Sequence, residues 1–107
     1  MIRAFTHGMA LRVTVHEDDE SMVLKLEGRL TGPFVAELDH LWQQTSGTRS
    51  GRKIALDLRE TTYADASGIQ TLRSIYRETG AAILSGTPWT QYLADEVTRK
   101  DAESKEV

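Results

Sequence analysis

Apolar residues alternate with polar ones twice near the start of the chain. Leu11, Val13 and Val15 alternate with Arg12, Thr14 and His16, and Met22, Leu24 and Leu26 alternate with Val23, Lys25 and Glu27. A period of two places one set on one face of a strand and the other set on the opposite face, so both segments read as half-buried strands. Glu17, Asp18, Asp19 and Glu20 lie between them. Four consecutive acids repel one another in a ladder and suit a solvated turn, so the pair reads as a hairpin ending at Gly28. The period then lengthens. After Gly32 and Pro33, residues Phe34, Leu38, Leu41 and Trp42 recur at helical spacing. Proline suits a first helical turn, where its missing N–H has no partner to lose.

Thr45 to Gly51 is rich in Ser, Thr and Gly and reads as a loop. Ile54, Leu56 and Leu58 form a third strand, with Asp57 interrupting the apolar run, and Arg59 to Asp65 read as a loop. Ile69, Leu72, Ile75 and Tyr76 make a second helical stripe that stops at Gly80. Ala81 to Leu84 form a fourth strand. Thr87 and Pro88 open a third helix carrying Trp89, Leu93 and Val97 on one side. The predicted order is β-β-α-β-α-β-α, an α/β fold with a mixed four-stranded sheet and covering helices. Residues 1–10 show no clean period and are expected to be a flexible lead-in. Residues 11–98 form the domain, and residues 99–107 form a charged tail without apolar anchors.

The 107 residues suffice for one core. The formal charge of −3, from 13 basic and 16 acidic residues, gives no basic field for nucleic acid. With no cysteine, disulfides and thiolate metal sites are excluded. The N-terminal stretch has no apolar run suited to a signal peptide or a membrane span, so the expectation is a cytoplasmic protein without direct membrane insertion.

Candidate chemistry concentrates between Asp57 and Ile69, where a strand end passes through a polar segment into a helix start. Binding sites of open α/β sheets favour the carboxyl ends of strands. The plain reading of Asp65 is a helix N-cap, with Ser67 in the first turn and Gly68 accommodating close packing. A Ser67 nucleophile would need a histidine base, and nothing places His7, His16 or His40 beside it. The segment Asp65-Ala66-Ser67-Gly68 is not the Gly-x-Ser-x-Gly elbow of hydrolases. Glu17 to Glu20 lack the ligand spacing of a calcium loop. No phosphate-cradling glycine motif is present, and no cofactor is expected. Trp42, Trp89, Tyr76 and Tyr92 stand at core spacing, with Trp89 a modest candidate for an interface anchor.

Residues 11–97 resemble a STAS domain, the fold of anti-sigma factor antagonists and of the cytoplasmic domain of sulfate transporters. The resemblance rests on three segments in order. Leu26-Glu27-Gly28-Arg29-Leu30 is similar to the L-x-G-x-L segment after the second strand. IALDL, followed by RETTYADASGIQTLRSIYRETGAAILSG, is similar to the strand, Asp-Ser-Ser-Gly loop and helix. Gly86 to Leu93 is similar to the entry of the final helix. The resemblance implies a non-enzymatic regulatory module of bacterial transcription signalling that docks a kinase-type anti-sigma factor. The implied contact surface comprises Asp65, Ala66, Ser67, Gly68, Ile69, Thr61 and Thr62. The family's usual phospho-acceptor follows the motif's Asp, and here that position is Ala66, which has no hydroxyl. Ser67 is the remaining candidate phosphorylation site. An alternative implied role is the soluble STAS subunit of a lipid-transport ATPase complex.

Overall fold

The computed structural model describes residues 2–7, 11–46 and 51–99, with side chains described over 11–44 and 51–99. Among the described residues, six strands and three helices follow one another as β1 (Ile2–His7), β2 (Leu11–Glu17), β3 (Ser21–Leu30), α1 (Pro33–Ser46), β4 (Lys53–Asp57), β5 (Thr61–Ala64), α2 (Ala66–Thr79), β6 (Ala82–Leu84) and α3 (Pro88–Thr98). The sheet order is β1-β2-β3-β4-β6, with β5 also pairing with β3. β1 to β3 are antiparallel neighbours, and β4, β5 and β6 join in parallel.

The α/β class and its mixed sheet agree with the sequence reading, but the sheet has six strands instead of four. Ile2–His7, expected in a flexible lead-in, pair with Leu11 to His16 of β2 as an edge strand. Thr61–Ala64, expected in a loop, are β5. Helix α1 runs on through Thr45 and Ser46, two residues expected in a loop. The rest of that loop over residues 47–50, and the charged tail after Arg99, lie outside the described residues.

β4 and β5 share one side of β3, end to end. β4 pairs with Ser21 to Lys25, and β5 pairs with Gly28 to Leu30 after a register shift at Gly28. The chain steps out between them through a turn at Leu58 to Glu60. Leu58 N–H donates to the Leu84 carbonyl at 2.9 Å, and Gly28 N–H donates to the Glu60 carbonyl at 3.1 Å. Gly28 adopts a φ of 105°, a conformation glycine enters without Cβ strain. This jog explains why β5 escapes a periodicity argument: four residues are too few for alternation to register.

The sheet has two unlike faces. Val13, Val15, Met22, Leu24, Leu26, Ile54 and Leu56 are buried in one cluster with Leu38, Trp42, Leu72, Ile75, Leu93 and Val97 from the three helices. The Trp42 indole N–H donates to the Glu78 carboxylate at 3.0 Å, tying α1 to α2 and satisfying the one polar atom of a buried ring. The opposite face carries Arg12 and His16, both exposed, together with Lys25, Glu27 and Arg29. The hairpin turn depends on a single acid: Asp18 Oδ1 accepts from the Glu20 and Ser21 amides at 2.8 Å each. Glu17 instead closes β2 and pairs with Arg52 at 2.7 Å. Among the described residues no helix is long and apolar enough to cross a membrane.

Candidate functional site

Asp65 sits between the end of β5 and the first residue of α2. Its backbone is extended, and Oδ1 accepts from the Gly68 amide at 2.8 Å, so it is the N-cap. An N-cap side chain of this kind satisfies an amide that the helix leaves without an internal partner. The same carboxylate does two further things. Oδ1 also accepts from the Ser67 hydroxyl at 3.0 Å, and Oδ2 accepts from the Gly32 amide at 3.3 Å. One side chain thus joins the start of α2 to the turn that opens α1. The Gly68 amide, the Ser67 hydroxyl and the Gly32 amide all favour the ionised form, which holds the Asp65 carboxyl below the usual carboxylate range.

Gly68 is required by close approach. A Cβ there would lie 2.6 Å from the Leu30 carbonyl oxygen and 3.0 Å from Leu30 Cγ. The Asp65 amide donates to that same Leu30 carbonyl at 3.2 Å. The first turn of α2 is therefore pressed against the end of β3, with no room for a larger residue. The consequence is a fixed surface position for Ala66 and Ser67, both exposed.

The expected surface residues divide. Ala66, Ser67 and Thr62 are exposed, and Asp65 is half-buried beside them. Ile69 is half-buried and packs against the core. Gly68 is buried and acts through its backbone. Thr61 departs from the expectation: it is 2% exposed, and its hydroxyl donates to the Leu26 carbonyl at 2.9 Å. Thr61 therefore fixes β5 from within and has no hydroxyl to offer a partner. Its carbonyl accepts from the Trp89 indole N–H at 2.9 Å, so the half-buried Trp89 serves as a tie between α3 and β5.

The neighbouring strand end is closed upon itself. Asp57, buried at the end of β4, accepts from the Arg59 amide, Nε and Nη2 at 3.1, 3.0 and 2.9 Å. These bonds from Arg59 hold its carboxyl below the usual range. Arg59 in turn lies over Gly86 at the entry to α3. Asp57 is thus engaged in fastening the β4–β5 turn. Ser67 donates to a carboxylate rather than to an imidazole, and His16 and His40 sit on β2 and α1. Among the described residues, the partner of the Ser67 hydroxyl is the N-cap carboxylate and not a histidine.

Sequence reasoning did not pick out Arg29 and Tyr63. They are register partners on β3 and β5, and the guanidinium carbon of Arg29 stands 4.8 Å from the Tyr63 ring centroid. No sequence signal pairs them, because the pairing depends on the jog that creates β5.

Residues 13–85 match a protein-family model described as "Mlab, STAS domain". Among solved structures, the chain is similar to the antisigma-factor antagonist STAS domain from Rhodobacter sphaeroides. The TM-score is 0.57 at 16% sequence identity, covering 87% of this chain and 97% of that one. At such an identity the shared feature is the fold.

Proposed function

The chain belongs to the STAS domain family, and from that premise we propose that it is a non-enzymatic regulatory module that docks a protein partner through the exposed start of α2. The observation that carries this reading is the fixed presentation of Ala66 and Ser67. Asp65 caps the helix, Gly68 presses it against Leu30, and two small side chains are left facing solvent. A surface that is ordered before contact loses little conformational entropy on docking. Asp65, Ala66, Ser67 and Thr62 form the contact, with Gly68 and Ile69 setting its shape. Thr61 supports it from below.

A phosphoryl group adds nearly two negative charges to the surface that carries it. Ala66 has no oxygen to accept one. Without an acceptor at that position, docking at this surface is constitutive unless the exposed Ser67 hydroxyl takes the phosphoryl group. The first partner class is a kinase-type anti-sigma factor. The second reading, a soluble subunit of a lipid-transport ATPase complex, is favoured by Ala66, because a permanent subunit has no need of a switch at that position.

Affinity capture of the tagged protein from its native cells, comparing wild type with Ser67→Asp, tests the reading. A carboxylate in the first turn suits the helix dipole but stands beside the Asp65 carboxylate, so lost capture counts only where the variant's melting temperature is unchanged. The expected result is a bound protein that the variant loses. Undiminished capture by Ser67→Asp moves the interface elsewhere. A recovered kinase supports the first partner class, and a transport ATPase with its permease supports the second. Efficient phosphorylation of Ser67 by the recovered kinase would refute constitutive docking.

A further inference from the structure

Tyr63 is 42% exposed, one of two large apolar side chains in that state among the described residues. The other, Tyr92, rests against Trp89 on α3, with ring centroids 5.8 Å apart. Tyr63 has a different neighbour. Arg29 stands opposite it across β3 and β5, and the guanidinium lies over the ring at 4.8 Å. Directly opposed residues of paired strands project from the same face, so both side chains stand on the face opposite the cluster that the described helices cover.

Arg29 is exposed and forms no ion pair among the described residues, in contrast to Arg52, Arg59, Arg73 and Arg99. A guanidinium held over a ring by cation–π attraction leaves N–H groups for other partners, and such groups match a carboxylate bidentately. The ring holds the cation in position, and the strand pairing holds the ring. Tyrosine and arginine are also the residue types enriched where binding energy concentrates.

The pair neighbours the start of α2 along the backbone. Leu30 follows Arg29 and accepts from the Asp65 amide, and Tyr63 precedes Asp65 by two residues. We infer that Arg29 and Tyr63 form an anchoring subsite of the α2 docking surface. It receives an acidic side chain of the protein partner on the Arg29 guanidinium edge and an adjoining apolar group on the Tyr63 ring. This inference rests on the docking reading above and gives it a partner chemistry: a surface with an Asp or Glu carboxylate beside an apolar side chain.

The test uses the full chain in its native cells with the photo-cross-linking residue p-benzoylphenylalanine in place of Tyr63, of Ser67 or, as a control, of His40, which is exposed on α1. The expected result is that the Tyr63 and Ser67 positions cross-link the same protein and the His40 position does not. With that protein purified, Arg29→Glu weakens binding by about tenfold or more and Arg29→Lys by less, because lysine keeps the charge without the planar edge. A cross-link at the Ser67 position with none at Tyr63, or an affinity unmoved by Arg29→Glu, overturns the subsite and leaves α2 docking intact. Cross-links at neither position overturn both. A cross-link at Tyr63 alone overturns the shared surface. Binding to phosphatidylglycerol vesicles that Arg29→Glu abolishes, with no protein cross-linked, overturns the inference by assigning the pair to a membrane surface. Arg29→Glu lies on an exposed position, so an unchanged melting temperature confirms that lost binding is not lost fold.

Discussion

Helices α2 and α3 begin in the same way and end up with different surfaces. Both follow a strand that runs parallel to β3 and β4, and both are capped by a side chain. In α3 the cap is a neutral, reciprocal box: Thr87 Oγ1 accepts from the Thr90 amide at 3.1 Å, and Thr90 Oγ1 accepts from the Thr87 amide at 2.9 Å. Thr90 Oγ1 also accepts from the Gly86 amide at 2.9 Å, and Trp89 beside it is tied to β5. Thr90 is buried, so the turn is spent on internal bonds. In α2 the cap is a single charged residue, Asp65, whose bonds reach outward to Gly32 as well as into the helix at Ser67 and Gly68. Its first turn leaves Ala66 and Ser67 exposed. A helix start that satisfies itself stabilises the fold. One capped by a single carboxylate leaves the side chains of its first turn free for contact.

The sharpest way to break this contrast is to remove the close approach under α2. Gly68→Val pushes a branched side chain into the Leu30 carbonyl and should cost about 3 kcal/mol of stability, measured by urea unfolding. A cost near zero would mean that α2 is not pressed on β3. Thr90→Val tests the other helix. It removes the acceptor for the Thr87 and Gly86 amides while keeping the shape, and should cost about 2 kcal/mol by the same measurement.

Acid separates the two caps. The folded-state pKa of Asp65 lies below its unfolded value, so its contribution is present above the usual carboxylate range and is lost as pH falls through the depressed folded value. Two-dimensional NMR between about pH 5 and pH 2 should show the Gly68 amide titrating below the usual Asp range, with the Thr90 amide not following it. If both amides move together, the caps are one cooperative unit. The smallest effect belongs to Ser67→Ala. The hydroxyl is exposed and one of several donors to Asp65, so stability should change by less than about 0.5 kcal/mol. A larger loss by urea unfolding would make Ser67 part of the structural cap and not of the free surface.

The parts of the fold that were legible in the sequence are those long enough to carry a period. Alternation at Leu11, Val13 and Val15 and at Met22, Leu24 and Leu26 marked β2 and β3, and the stripe of Leu72 and Ile75 marked α2. All of these residues are buried. Asp65 as N-cap and Gly68 as a packing accommodation were also legible, since capping is a local rule and Asp is among its preferred residues. Thr61 was misread for the opposite reason. A threonine in a polar stretch looks solvent-facing until the strand it belongs to is known, and β5 exists only because β3 is long enough to pair with it beyond the end of β4.

The sequence by itself determined the two periodicities, the helix start at Asp65, and the absence of a hydroxyl at the position after it. These are properties of residues and their near neighbours, set by side-chain chemistry and backbone sterics. Only the tertiary structure decided that Thr61 turns inward to the Leu26 carbonyl, that Gly68 meets Leu30, and that Arg29 stands over Tyr63. Each of these contacts joins segments more than thirty residues apart, and each depends on the strand register between β3 and β5. A shift of one residue would turn the same side chains to the other face. That register is set by the packed sheet as a whole.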